Sequence, residues 1–219
     1  MPLNRKERDI LADGLARLGV TRNVMMMQRF STFIEELLRW NSRTNLVGTQ
    51  DTENIVTRHI LDSLSLYRLL KAEKKSILDI GTGAGFPSIP LKIVSPSLPI
   101  TVCERRQKRA AFLQNALTLL GFCDVPIEAR DVREIPARFD IVLARGLGDL
   151  EEIVSLSRAV LKESGMIIAF KGKITEIERE TERLKKSRGA DERIHLDIQR
   201  VTVPYLEKEE RNIVIIQTK

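Results

Sequence analysis

The sequence predicts an α/β protein: a mostly parallel sheet with helices on both faces, preceded by an amino-terminal helical extension. Two observations predict it. From residue 76 onward, short apolar runs of strand length alternate with segments of helical period, the pattern that builds a parallel sheet from strand-helix-strand units. Before that point apolar residues recur at three- and four-residue spacings, the period of a helix face. The change divides the chain into an extension, 1–72, and a sheet domain, 73–219.

In chain order, Met25 to Leu38 sets Met26, Phe30, Phe33, Ile34, Leu37 and Leu38 on one stripe, bounded by Trp40-Asn41, which predicts a helix. Met25-Met26-Met27 reads as core filling by flexible side chains. A second helix is expected from Glu53 to Leu70. Strands follow at Ile77 to Ile80, Ile100 to Glu104, Val125 to Ala129, Phe139 to Ala144 and Met166 to Phe170. Weaker candidates at Ile194 to Val201 and Asn212 to Gln217 bring the total to six or seven. Between them Arg106 to Leu120 carries Ala110, Leu113, Leu117 and Leu120 on one face and stops at Gly121, a natural carboxyl-terminal cap. Leu150 to Leu161 and Thr175 to Ser187 supply later helices.

Composition narrows the class. With 42% hydrophobic and 30% charged residues in 219, the chain can bury a core under a charged surface, which excludes wholesale disorder. Its first ten residues are polar, and no apolar run approaches the roughly 18 residues of a membrane span, so a cytosolic protein with no membrane partner is expected. Cys103 and Cys123 have no ligand spacing and read as core thiols, not a metal site. The net charge of +6 points to a polyanion only where it is concentrated. Residues 1–75 hold 13 Lys+Arg against 9 Asp+Glu, and Arg105, Arg106, Lys108 and Arg109 crowd into five positions.

The most informative string is Ile77-Leu78-Asp79-Ile80-Gly81-Thr82-Gly83-Ala84-Gly85-Phe86-Pro87, a strand entering a glycine-rich turn and an apolar helix. Such turns let a ligand lie against the backbone at the carboxyl edge of a sheet. Here the spacing is G-x-G-x-G, with Phe86 where a dinucleotide loop has its third glycine and Pro87 removing an amide. A pyrophosphate needs free amides there, so a phosphate-free nucleoside, S-adenosylmethionine, is the better ligand. Glu104 ends the second strand 23 residues after Gly81, where a carboxylate can accept both ribose hydroxyls; a surface pair with Arg105 or Lys108 is its alternative. Asp79 either orients the loop or meets the cofactor's ammonium. Asp131 and Val132 follow the third strand and would flank the adenine, unless Asp131 is a plain turn residue.

Several strings together resemble the bacterial ribosomal small-subunit RNA guanine-N7 methyltransferase family, also called glucose-inhibited division protein B. They are Trp40-Asn41 with Asn45-Leu46, Arg58-His59-Ile60-Leu61-Asp62-Ser63-Leu64, the glycine loop from Asp79 to Pro87 with Pro90-Leu91, Glu104 with Lys108-Arg109 and Phe112-Leu113, and Ala144-Arg145. The resemblance implies a class I, Rossmann-like methyltransferase with a seven-stranded sheet whose last strand is antiparallel. It implies methylation of one guanine in the decoding-region loop of small-subunit ribosomal RNA, and cofactor contacts from Gly81, Phe86, Asp131, Val132 and Arg145. Thr82, Ser88 and Gly146 depart from the family's usual Ser, Gly and Ala, and Arg130-Asp131-Val132-Arg133 lacks its usual Ala-Glu pair.

Guanine N7 already presents a lone pair, so no general base is expected, and alignment with exclusion of water carries the rate. Arg145 is assigned a positioning role, with a salt bridge to Asp149 or Asp131 as the alternative. Arg58, His59, Asp62 and Ser63 read as a hydrogen-bonded network docking the extension, with contact to RNA as the alternative for His59 and Asp62. Arg105, Arg106, Lys108 and Arg109 flank Glu104 at the ligand edge and are expected to hold RNA phosphates, joined by Lys171 and Arg211. Gly83 and Gly85 complete the cofactor loop. The expected protein is a monomer acting on small-subunit ribosomal RNA or the subunit itself. A methyltransferase for another RNA position or a small molecule, and an RNA-binding module with a vestigial pocket, are the competing readings.

Overall fold

The computed structural model describes residues 3–71, 74–188 and 194–218. These form a seven-stranded sheet in the order β3-β2-β1-β4-β5-β7-β6. The strands are β1 (Ile77–Ile80), β2 (Ile100–Cys103), β3 (Ile127–Glu128), β4 (Phe139–Arg145), β5 (Leu161–Lys171), β6 (Ile194–Arg200) and β7 (Asn212–Thr218). β1 to β5 are parallel, while β7 runs antiparallel to both β5 and β6. Strand order reverses between β1 and β4, so a crevice is expected beyond their carboxyl ends.

Alternation along the strands sorts the core into two layers. Ile77, Ile100, Val102, Ile141, Leu143 and Ile168 face the helical extension, α5 (Ser88–Val94) and α6 (Gln107–Leu119). Leu78, Ile80, Val142, Ala144, Ile167 and Ala169 face α7 (Leu150–Arg158) and α8 (Ile174–Arg188). Burial on both faces explains why these strands read as continuous apolar runs. The buried apolar residues of the extension, from Leu3 to Leu70, share the first of these cores with the sheet.

The extension begins with α1 (Arg5–Arg17), whose start is written in sequence: the Asn4 side chain accepts from Glu7 N, and Glu7 accepts from Asn4 N. In α2 (Val24–Thr44) Asn23 caps the amino terminus, but the helix continues beyond the expected stop at Trp40-Asn41 to Asn45, at φ 47°. Both residues bond within the fold and so do not break the helix. Trp40 Nε1 donates to buried Glu36, and Asn41 holds the next loop through Thr49 O and Val47 N.

The expected helix from Glu53 to Leu70 is not one regular helix. It divides into α3 (Thr52–Asn54), a π-helical segment Ile55–Leu61, a 3₁₀ turn Leu64–Leu66 and α4 (Tyr67–Leu70). Ile55, Val56, Ile60 and Leu61 are all buried, a face wider than a 3.6-residue stripe accommodates, and α1 presses closely on it: a Cβ on Gly14 would fall 2.4 Å from Leu61 Cδ1. Smaller corrections concern edges. β2 stops at Cys103, β3 keeps two residues, and α7 ends at Arg158 because β5 starts at Leu161. Met25 is 57% exposed and Cys123 is exposed, so neither fills the core. Among the described residues no helix is long and apolar enough to cross a membrane.

Candidate active site

β1 delivers the chain into the glycine loop, where Gly81, Gly83 and Gly85 have φ of +65°, +60° and +84°, the left-handed region that disfavours side chains. Their tasks differ. Gly81 N donates to Cys103 O at 2.9 Å, tying the loop to β2. A Cβ on Gly85 would strike Ile89 and Leu113, so this glycine lets α5 and α6 close beneath the loop. At Gly83 the nearest atom to an added Cβ is Arg109 Nη1, 3.5 Å away, and the amide donates to Glu104 Oε2 at 3.1 Å.

Glu104 stands one residue past β2, only 4% exposed, on the wall of a recess of about 260 Å³. Its Oε1 accepts from Arg106 N at 2.8 Å, and Arg109 Nη1 lies 3.9 Å from Oε2. It pairs with neither Arg105 nor Lys108. Each oxygen retains acceptor capacity that can serve a diol. Gly81, Asp131 and Val132 line the same recess. Asp131 caps the turn Val132–Glu134 by accepting from Arg133 N at 3.0 Å, and that contact holds its carboxyl below the usual range.

Asp79 lies beneath the loop with no exposed surface. Its Oδ2 accepts from Thr82 Oγ1 at 2.6 Å and from Ser88 Oγ, so two positions that depart from the family pattern converge on one oxygen. Burial pushes this carboxyl up to about 7 against those hydroxyl bonds and the nearby Arg145 charge. Oδ1 is buried with no partner. An orphaned acid oxygen behind the loop, a diol-accepting carboxylate at the strand tip and a glycine cradle are the features that S-adenosylmethionine's ammonium and ribose require. These residues fit that cofactor.

Gly146 and Leu147 form a wall shared with a second recess of about 420 Å³ that Arg145, Asp62, Phe170, Lys171 and Arg211 also line. Arg145 leaves the end of β4 and gives Nε and Nη2 to Asp62 Oδ2 at 3.0 and 2.8 Å, with Nη2 also reaching Arg58 O at 2.8 Å. Its guanidinium is 5.9 Å from the Phe86 and Phe170 ring centroids. The ion-pair partner is therefore Asp62, not Asp149 or Asp131. Asp62 Oδ1 accepts from Arg211 Nε at 3.2 Å, and Glu209 joins Arg211 to Arg58 at 2.7 and 3.0 Å. An alternating chain, Arg58-Glu209-Arg211-Asp62-Arg145, thus fastens the π-helical segment to the sheet's carboxyl edge. Lys171 is held by Glu180 at 2.7 Å and Gly148 O at 2.9 Å.

His59 is half-buried, stacked on Phe86 with centroids 5.0 Å apart, and its Nδ1 has no partner. Burial, aided by the Arg145 and Arg58 charges, pushes its pKa down to about 4, leaving a neutral ring at neutral pH. Its unfolded pKa lies higher, near 6.5. The proton is then taken up by the unfolded state first, so stability present above pH 6.5 is lost as pH falls toward 4. We expect His59→Phe, which keeps the stacked ring, to remove roughly 2–3 kcal/mol of the stability difference between those limits, measured by urea unfolding at a series of pH values.

Arg105 and Arg106 are exposed on the lining of the first recess, whereas Lys108 is exposed but does not line it; among the described residues none of the three joins an ion pair. Arg130 and Arg133 share that rim, paired with Glu128 and Asp131. Both flank Asp131 in a string already singled out, yet they were missed as site residues. Asp62 was expected to act in docking or RNA contact, and Leu147 carried no signal.

A doubly wound sheet with a recess at its switch point, walled by Glu104 and Gly81, and a second recess across one wall has the architecture of the Rossmann-like methyltransferases. The fold agrees with the O-methyltransferase from Bacillus cereus in complex SAH, with a TM-score of 0.56 over 85% of this chain and 90% of that chain at 17% identity. The chain belongs to the GidB family, rRNA small subunit methyltransferase G, whose model matches residues 26–214. Ribosomal RNA small subunit methyltransferase G of Geobacter sp. (strain M21) is 36% identical over 170 residues, 76% of this chain and 78% of the relative. That of Thermoanaerobacter pseudethanolicus is 33% identical over 214 residues, covering 93% and 87%.

Proposed function

We propose that this protein transfers a methyl group from S-adenosylmethionine to N7 of a guanine in the decoding-region loop of small-subunit ribosomal RNA, acting as a cytoplasmic monomer. The observation that carries the reading is the pair of recesses divided by Leu147, one presenting Glu104 and the other a fixed arginine, in a chain of this family. Asp79, Gly81, Gly83, Gly85, Phe86, Glu104, Asp131, Val132 and Arg145 are assigned to the cofactor side. Arg58, His59, Arg105, Arg106, Lys108, Arg109, Lys171 and Arg211 are assigned to RNA, with the extension 1–72 as a holding arm for the sheet domain 73–219.

When bound, the cofactor supplies an electrophilic sulfonium methyl. Glu104 would hold the ribose and Asp79 Oδ1 the ammonium, orienting the ligand against the loop. Arg145 spends Nε and Nη2 on Asp62 and Arg58, leaving Nη1 for the base. One donor to guanine O6 steadies the ring and leaves the N7 lone pair free, where a bidentate grip would block it. His59, neutral and enclosed by Phe86, is not needed as a base because no proton leaves N7 before attack. Leu147, Phe86 and Phe170 would limit water beside the reacting atoms.

The test is transfer of labelled methyl to isolated ribosomal RNA and to small subunits in parallel. Label in the small-subunit RNA is the expected result. Label only in small molecules, or no binding of S-adenosylmethionine by calorimetry, favours the competing readings.

A further inference from the structure

Beyond the two recesses, a cleft of about 410 Å³ opens where the helical extension meets the last strands, lined among others by Arg17, Leu18, Arg68, Arg200, Thr202 and Pro204. Among the described residues no acidic or aromatic side chain lines it. Arg17 is turned toward Glu207 and Asp13. Arg68 and Arg200 join no ion pair among the described residues, and both are exposed.

Arg68 is held by the end of α1. Its Nε donates to Leu18 O at 3.4 Å, and its guanidinium lies over Gly19 (φ +77°), where a Cβ would come 3.2 Å from Nη2. A helix carboxyl terminus favours a cation, so the side chain is fixed with its two terminal nitrogens unspent. Arg200 ends β6 opposite Asn212, which is also the register partner of Lys171 on β5, and Val201 N donates to Arg211 O at 2.9 Å. Arg200 therefore stands on the same sheet edge as Lys171 and Arg145, beside the Arg211 end of the ion chain. Arg17 is neutralised by its carboxylates and Glu210 acts on Arg200 from a distance, but Arg68 and Arg200 keep donors that a phosphate diester can meet with paired acceptors.

We infer that this cleft grips backbone phosphates of the RNA that flanks the target nucleotide, an inference resting on the ribosomal RNA reading above. The lack of aromatic surface points to backbone rather than base recognition. Its place on the edge that holds Arg145 makes it a second anchor for a strand whose base reaches that residue.

The experiment compares the full-length wild type with Arg68→Glu/Arg200→Glu and with Arg68→Lys/Arg200→Lys. Each is titrated with an RNA fragment containing the decoding-region loop and its flanking helix, across a range of salt concentrations. We expect the reversed pair to bind at least about tenfold more weakly at low salt and to flatten the slope of log affinity against log salt by about two, near one per phosphate contact. The lysine pair should retain most of the affinity, and calorimetric affinity for S-adenosylmethionine should not change in either. Unchanged RNA affinity and slope in the reversed pair overturn the inference, as does a parallel loss of cofactor affinity, which would mean the residues act through the fold. Failure of the parent reading is separately visible, because wild type would then transfer no label to ribosomal RNA, and this inference would fall with it.

Discussion

Gly83→Asp is expected to abolish measurable binding of S-adenosylmethionine, a loss of at least about a hundredfold, in a protein that still folds. At φ +60° an aspartate is tolerated better than most residues, at a cost of order 1–3 kcal/mol, and an added Cβ meets nothing closer than Arg109 Nη1 at 3.5 Å. The fold therefore survives. The new carboxylate would stand beside Glu104 and compete with it for Arg109, filling the space over the loop and adding like charge where Glu104 must accept hydroxyls. Gly83→Ala, which adds bulk without charge, should lose much less. Calorimetry checks the affinities, and a retained unfolding midpoint within a few degrees separates a blocked site from a broken one. Near-normal affinity in the aspartate variant would remove the loop from the cofactor site.

The second large effect is expected at Asp62. It is 5% exposed and receives both Arg145 and Arg211, so Asp62→Ala leaves Arg145 without its counter-charge and Arg211 with Glu209 alone. Breaking a buried ion pair from one side costs about 3–5 kcal/mol, and urea unfolding should register a loss near the lower figure because Glu209 still serves Arg211. Arg145 would also lose the acceptor that fixes its direction. Misplacing a positioning group by about 1 Å can cost on the order of a hundredfold in rate, so kcat should fall by about that factor while cofactor affinity holds. A stability loss with unchanged kcat would reduce Asp62 to a structural clamp. Asp62→Asn, which still accepts from one arginine, should fall between wild type and alanine on both measures.

What could be read in the sequence follows from range. The strands were legible because burial on both faces makes them apolar runs, and the glycine loop because three left-handed positions leave little choice of residue. Glu104 was legible from its distance along the chain to Gly81. The Asp62 clamp was not, since its partners lie 83 and 149 residues away and nothing local distinguishes an acid that pairs across the fold from one that faces solvent. The same limit hid the pairing of Glu36 on α2 with Asn115 on α6. The π-helical segment escaped because its composition is that of an ordinary amphipathic helix, and only the pressure of α1 through Gly14 reveals a wider buried face. Helix and strand ends moved where polar residues found internal partners, as Trp40 and Asn41 did.

The central claim is that the arginine recess presents guanine N7 to the methyl group with no base involved. Nucleoside analysis of small-subunit RNA after labelled transfer tests it most directly. The account predicts that the label resides in 7-methylguanosine; label in any other nucleoside would contradict it.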